Sequence, residues 1–271
     1  MTAFICKTCG VQYADSEAPP SRCAICDDER QYPGPNGLEW TTLNTLLGAD
    51  YENVFTELER SLVSIRTEPQ LAIGQRAILL QSPAGNVLWD CITLLDAATV
   101  NRVRELGGIA AMGISHPHFY ASNIAWSQAF GDCPVYIHKA DAEWVQYLTP
   151  AVQLWEGETQ EILPGITLIN TGGHFEGSVA LHWAAGCDGR GAMLTGDTVT
   201  VVMDRRYVSF MYSYPNLIPL GERSIRRIVE SLRPFPYEKI YGGWNGRVVS
   251  VNGSDAVERS AERYLRFIRE T

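Results

Sequence analysis

The chain has 271 residues, 45% hydrophobic and 20% charged, with a formal net charge of −9 at pH 7 and a pI near 5.1. That length buries a large core without staples, and no apolar run approaches the about 18 residues of a membrane span. The acidic balance argues against nucleic acid or anionic lipid as a partner, and MTAFICKTCG lacks the basic and apolar regions of a signal peptide, so the expected location is the cytoplasm.

The first segment carries two Cys-x-x-Cys pairs, Cys6/Cys9 and Cys23/Cys26. A dication takes four thiolates in a tetrahedron, and each such turn aims two sulfurs at one centre. So short a segment has no core of its own, and metal binding is expected to supply its folding energy. The pattern resembles the zinc ribbons and the short rubredoxin-like modules, in which zinc or iron takes four sulfurs, and the residues leave both metals open. Zinc ribbons often bind nucleic acid. Here Lys7, Arg22 and Arg30 face Asp15, Glu17, Asp27, Asp28 and Glu29, and that balance disfavours such a role. The other three cysteines, Cys91, Cys133 and Cys187, read as inert thiols, since a free cysteine packs like a small hydrophobe. Tyr32-Pro-Gly-Pro-Asn-Gly37 reads as a hinge, which divides the chain into a four-cysteine module at 1–37 and a large domain at 38–271.

In the large domain, Arg76–Gln81 and Val87–Ile92 flank a turn and read as a β-hairpin. Residues 95–106 follow as an amphipathic helix stopped by Gly107-Gly108. A strand at 109–114 runs into Ser115-His-Pro-His118, and a helix near 122–130, a strand at 134–138 and a helix from about 140 come next. Strands are expected at 166–170, 178–183 and 192–194, and helices at 221–232 and 254–269. Hairpins mixed with strand-helix units predict an α/β chain with mixed sheets flanked by helices.

Five histidines are present, and two of them, His116 and His118, stand at one strand end. His174 follows a strand in Thr171-Gly-Gly-His-Phe-Glu-Gly-Ser178, and Asp197 follows another in Leu194-Thr-Gly-Asp-Thr-Val199. Three imidazoles and a carboxylate at strand ends point to a metal site. His138 and His182 are expected to cap or pack instead.

In that order the motifs resemble the metallo-β-lactamase superfamily over nearly all of residues 70–250. The resemblance implies an αββα sandwich with a metal site on one edge, His116, His118 and His174 as first-site ligands, and Asp197 at the position of the carboxylate that normally bridges two metals. The chain departs from the family pattern at Tyr120 and Ala121, where an aspartate and a histidine usually stand. It departs again at Tyr241-Gly-Gly-Trp-Asn-Gly246, where a late histidine belongs. Three of four second-site ligands are therefore missing, and the expectation is a single zinc or iron on His116, His118, His174 and Asp197.

The leading functional expectation is a mononuclear metal hydrolase acting on a small-molecule ester, lactone or thioester, with Asp197 and Tyr120 as catalytic candidates. A zinc-bound water has a pKa of about 7, so hydrolysis survives loss of the second metal in principle. Tyr207, Phe210, Tyr212 and Tyr214 are expected to wall a substrate pocket, with Trp244 or Asn245 taking the place of the absent histidine. A mononuclear iron oxidoreductase resembling the persulfide dioxygenases is the second class, for which a rubredoxin-like module would suit electron delivery. A catalytically silent binding protein is the third. Self-association stays open.

Overall fold

The computed structural model describes residues 1–269, and the chain divides into two compact units. The first comprises Met1–Ile137 and Ala142–Leu154, the second His138–Asp141 and Trp155–Thr271. No helix among the described residues is long and apolar enough to cross a membrane.

In the first unit β1 (Ile5–Cys6) pairs antiparallel with β2 (Trp40–Thr41). A seven-stranded sheet follows in sequence order: β3 (Glu52–Glu59), β4 (Leu62–Glu68), β5 (Ala77–Leu80), β6 (Val87–Trp89), β7 (Ala111–Gly113), β8 (Val135–His138) and β9 (Val152–Trp155). The pairs from β3 to β6 are antiparallel, and β6–β7 and β7–β8 are parallel. Every residue of β5, β6 and β7 is buried, as expected of strands with both faces covered. The hairpin of β5 and β6 and the two helices that follow lie where the sequence puts them. Helix Ala97–Glu105 starts at Asp96, whose side chain accepts the Thr99 N–H at 2.6 Å, and ends before Gly107 and Gly108, both with positive φ.

The second unit is built on a six-stranded sheet: β10 (Thr159–Leu163), β11 (Ile166–Asn170), β12 (Val179–Trp183) and β13 (Ala192–Gly196), then β18 (Lys239–Gly242) and β19 (Val248–Val249). All neighbours are antiparallel except β13 and β18. Short ladders, β14 (Thr200–Val201) with β15 (Val208–Ser209) and β16 (Met211–Ser213) with β17 (Ile218–Pro219), fill the excursion from β13 to helix Glu222–Leu232. That helix buries Ile225, Ile228, Val229 and Leu232, a 3.6-residue stripe. With Ala256, Val257, Ala261 and Leu265 of helix Gly253–Arg269 they pack on Ile169, Ala180, Met193 and Ile240, one residue from each of four adjacent strands. Each fully buried Ile, Val or Leu there stabilises the fold by about 1.5–3 kcal/mol.

One expected helix is reduced. Residues 139–144 form only a short 3-10 segment broken at Asp141, because the Asp141 carboxylate accepts the N–H of Gly177 at 2.7 Å. The strands β3, β4, β9 and β10, unassigned from sequence, carry mixed polar and apolar residues with little clean alternation.

Candidate metal centres and the cavity beside Asp197

The first unit holds four thiols in one cluster. Cys6, Cys9, Cys23 and Cys26 are all buried, and their sulfur atoms lie within 4.8 Å of one another. Cys6 and Cys26 are 3.6 Å apart, as are Cys9 and Cys23, well beyond the roughly 2.05 Å of a disulfide. Each turn is closed by a backbone bond, Gly10 N–H to Cys6 C=O at 2.8 Å and Asp27 N–H to Cys23 C=O at 2.9 Å. Hydrogen bonding from Cys26, then Cys6 and Cys9, and from the Tyr13 hydroxyl at 3.3 Å, holds the Cys23 thiol well below its ordinary range. Burial pushes the Cys9 thiol up, and the hydrogen bond with Cys23 pushes that of Cys26 up, so the thiolate is favoured at Cys23; four buried sulfurs gathered in this way fit a tetrahedral metal site.

This cluster is sewn into the seven-stranded unit. The N–H of Gln12 donates to the carbonyl of Ala121 at 2.9 Å, and the Thr93 hydroxyl donates to the carbonyl of Gly10 at 3.1 Å. Ser122 in turn donates its hydroxyl to the carbonyl of Thr93 at 2.7 Å. Ala121 sits at φ 44°, a left-handed conformation that costs a non-glycine residue about 1–2 kcal/mol. The segment that carries the four cysteines is therefore hydrogen-bonded to the loop that follows His118, at Ala121.

His116 and His118 belong to the same unit. Beyond β7 the chain passes through Ser115, whose N–H donates to Asp90 Oδ1 at 2.8 Å. His118 then lies in the 3-10 turn Pro117–Phe119. Both histidines are buried, with ring centroids 5.1 Å apart at 75°. Ser115 Oγ is 2.8 Å from His116 Nδ1, which leaves Nε2 as the ring atom that could ligate a metal. Burial, with a smaller contribution from the Arg30 charge, lowers the His116 pKa to about 3, so the ring is the neutral base a metal needs. Tyr120 and Ala121, which close this loop, are buried.

The second unit carries His174 and Asp197. The Gly-Gly-His-x-x-Gly-Ser pattern has a steric cause. Gly172 and Gly173 both have positive φ, and a Cβ on Gly173 would come within 2.8 Å of Ile228 Cδ1. At Gly177 a Cβ would meet the Asp141 carboxyl carbon at 2.6 Å. Ser178 closes the loop by accepting the Phe175 N–H at 2.8 Å. So held, His174 places Nδ1 3.1 Å from the carbonyl of Met211. Donation there fixes the tautomer with the proton on Nδ1, so that Nε2 is the ring atom that could ligate, as in metal-ligating histidines. Asp197 follows Gly196 (φ 52°) at the end of β13 and is buried. Burial raises its pKa to about 7, against the opposing pull of His174 and Thr200. The hydroxyl of Tyr214 donates to the Asp197 carbonyl at 2.9 Å.

A cavity of about 460 Å³ opens beside Asp197 within this unit. Of the aromatic residues expected to wall a pocket, Tyr214 and Trp244 line it. Phe210 is instead fully buried in the core, and Tyr212 packs against that core. Tyr207 lies under the Arg263 guanidinium, 3.6 Å from its ring centroid. Asn245 is exposed. The histidines set aside behave as expected: His138 Nδ1 accepts the Ala140 N–H at 3.2 Å, and His182 Nε2 lies 2.8 Å from the carbonyl of Pro236. Sequence reasoning missed Asp90, Ser115, Asp141 and Arg247. Asp90 was legible as a second strand-end carboxylate, but the partners of the other three depend on distant loops.

The two sheets, their order and the strand-end histidines define a metallo-β-lactamase fold, with a four-cysteine cluster at its N-terminus. Solved structures bear this out. The DIM-1 metallo-β-lactamase superposes with a TM-score of 0.58 at 13% identity, over 78% of this chain and 97% of its own. A B3 metallo-β-lactamase with an active-site glutamic acid gives 0.52 at 18%, over 82% and 90%. A metallo-β-lactamase of Cronobacter sakazakii gives 0.51 at 16%, over 80% and 93%. No protein-family model matches the chain. The uncharacterized protein YmaE of Bacillus subtilis (strain 168) is 46% identical over 269 residues, 99% of this chain and 97% of its own length. The chain belongs to the same family as YmaE.

Proposed function

We propose that the protein is a mononuclear metal-dependent hydrolase of an ester, lactone or thioester, with His116, His118, His174 and Asp197 holding one zinc or iron ion. The observation that carries this reading is the donor set: three buried imidazoles and a buried carboxylate, which together offer four ligand atoms. The orientation of His174 by a backbone carbonyl supports it. When bound, a divalent ion in such a set acidifies water and polarises a carbonyl. The protein's own residues do the rest. Ser115 and the Met211 carbonyl hold the two rings, Tyr214 steadies the Asp197 backbone, and burial keeps His116 neutral. Tyr120 offers a phenol as a hydrogen-bond donor to developing charge and, as a phenol, is a poor base. The four-cysteine cluster takes a second, structural metal, zinc or iron.

The test is metal analysis of protein purified without added metal, followed by an ester, lactone, thioester and phosphodiester panel. Activity lost in both His116→Ala and His174→Ala is the expected result. A metal-loaded protein no more active than His116→Ala across the panel would end the hydrolase reading.

A further inference from the structure

The turn that should carry the late histidine of the family does something else here. Between β18 and β19 the chain reverses through Gly243–Gly246, closed by Arg247 N–H to the Trp244 carbonyl at 3.1 Å and Gly242 N–H to the Arg247 carbonyl at 2.9 Å. Trp244 and Arg247 of this turn both line the cavity next to Asp197. Val201, Met203, Met211 and Leu217 line it as well. The wall is thus apolar with two charged residues, Asp197 and Arg247.

Arg247 has no carboxylate partner among the described residues; its recorded side-chain contact is Nη1 to the Met203 sulfur at 2.9 Å. Acidic residues outnumber basic ones in this chain by 31 to 22, and several of its arginines do have an acidic partner. Arg66, Arg102, Arg190, Arg206, Arg226, Arg233 and Arg269 all pair with a carboxylate. A half-buried guanidinium at the edge of an apolar cavity, left without a protein anion, is built for an anion that arrives with an apolar body.

We infer that this cavity binds an amphiphilic monoanion, so that the substrate is an ester or thioester whose apolar body lies against Trp244, Met211 and Leu217 and whose anionic group rests on Arg247. The inference builds on the hydrolase reading for the word substrate, whereas the binding it asserts is independent of metal and turnover. Binding is therefore measured in His118→Ala protein, in which no metal anchors a carboxylate. The probes are octanoate and 1-octanol, which share a chain and differ in charge, titrated by calorimetry.

Octanoate is expected to bind at least tenfold more tightly than 1-octanol. In Arg247→Met, which keeps length and loses charge, the two should bind within twofold of each other. Trp244→Ala should weaken both probes alike, and Arg247→Lys should keep part of the preference. Equal binding of the two probes in the unaltered cavity, no binding of either at millimolar concentration, or a tenfold preference that survives Arg247→Met would each overturn the inference. A hydrolysis panel without activity leaves this result standing, and a failed octanoate titration leaves the hydrolase test standing.

Discussion

At the scale of single residues, the site depends on small side chains as much as on its ligands. Gly177 has an ordinary backbone conformation, so what a methyl group would cost there is space: the Asp141 carboxyl carbon lies 2.6 Å from where Cβ would stand. That carboxylate also accepts the Gly177 N–H, which prevents it from simply moving away. Gly177→Ala is therefore expected to destabilise the protein by about 1–3 kcal/mol, the usual cost of overpacking. It should also lower metal occupancy at His174, because the same loop aims that ring. Thermal melts and metal content of the purified variant check both. Gly246→Ala is the contrasting case: its φ of 68° strains a side chain, but nothing lies within 4 Å of its Cβ.

At the scale of elements, the two cysteine turns act on the loop that bears His116 and His118 through the Gln12 to Ala121 hydrogen bond and the Thr93 contact. The cluster gathers the buried sulfurs, and a metal held there would supply the folding energy of these turns. Cys23→Ser is expected to lose one equivalent of bound metal while the His116 site keeps its own, as elemental analysis would show. It should also lower the melting temperature by several degrees, since residues from Ile5 to Tyr13 pack in the first unit. Unchanged metal content would remove the metal from this cluster. A red protein with charge-transfer absorption identifies iron there, and a colourless one zinc.

For the whole molecule, the expected total under excess zinc is two equivalents, one for the four cysteines and one for the histidines. The expectation comes from the sequence, in which Tyr120, Ala121 and the 241–246 turn carry no carboxylate or imidazole where the resembled family has its second-site ligands. Anomalous scattering with two metals a few ångströms apart at that site would refute it. Tyr120→Asp with Ala121→His should favour a second ion without restoring full occupancy, because the turn that ends in Arg247 still lacks a histidine. Ligand types and strand-end spacing are local properties, and they were legible as His-x-His, Gly-His-x-x-Gly-Ser, Thr-Gly-Asp and the paired Cys-x-x-Cys. So were the strongly periodic helices at 222–232 and 253–269, whose apolar stripes have one way to be buried. Other features were decided by contacts between segments far apart in sequence. Residues 139–144 lose their helix to a bond with Gly177, Phe210 goes to the core rather than the pocket, and Arg247 comes to stand near Asp197 across a common cavity. Sequence by itself determined which donor groups could hold a metal, because that depends on residue type and local turn. Tertiary structure decided which aromatic residues face a ligand, because packing at near-crystal density assigns each ring by the space its distant neighbours leave.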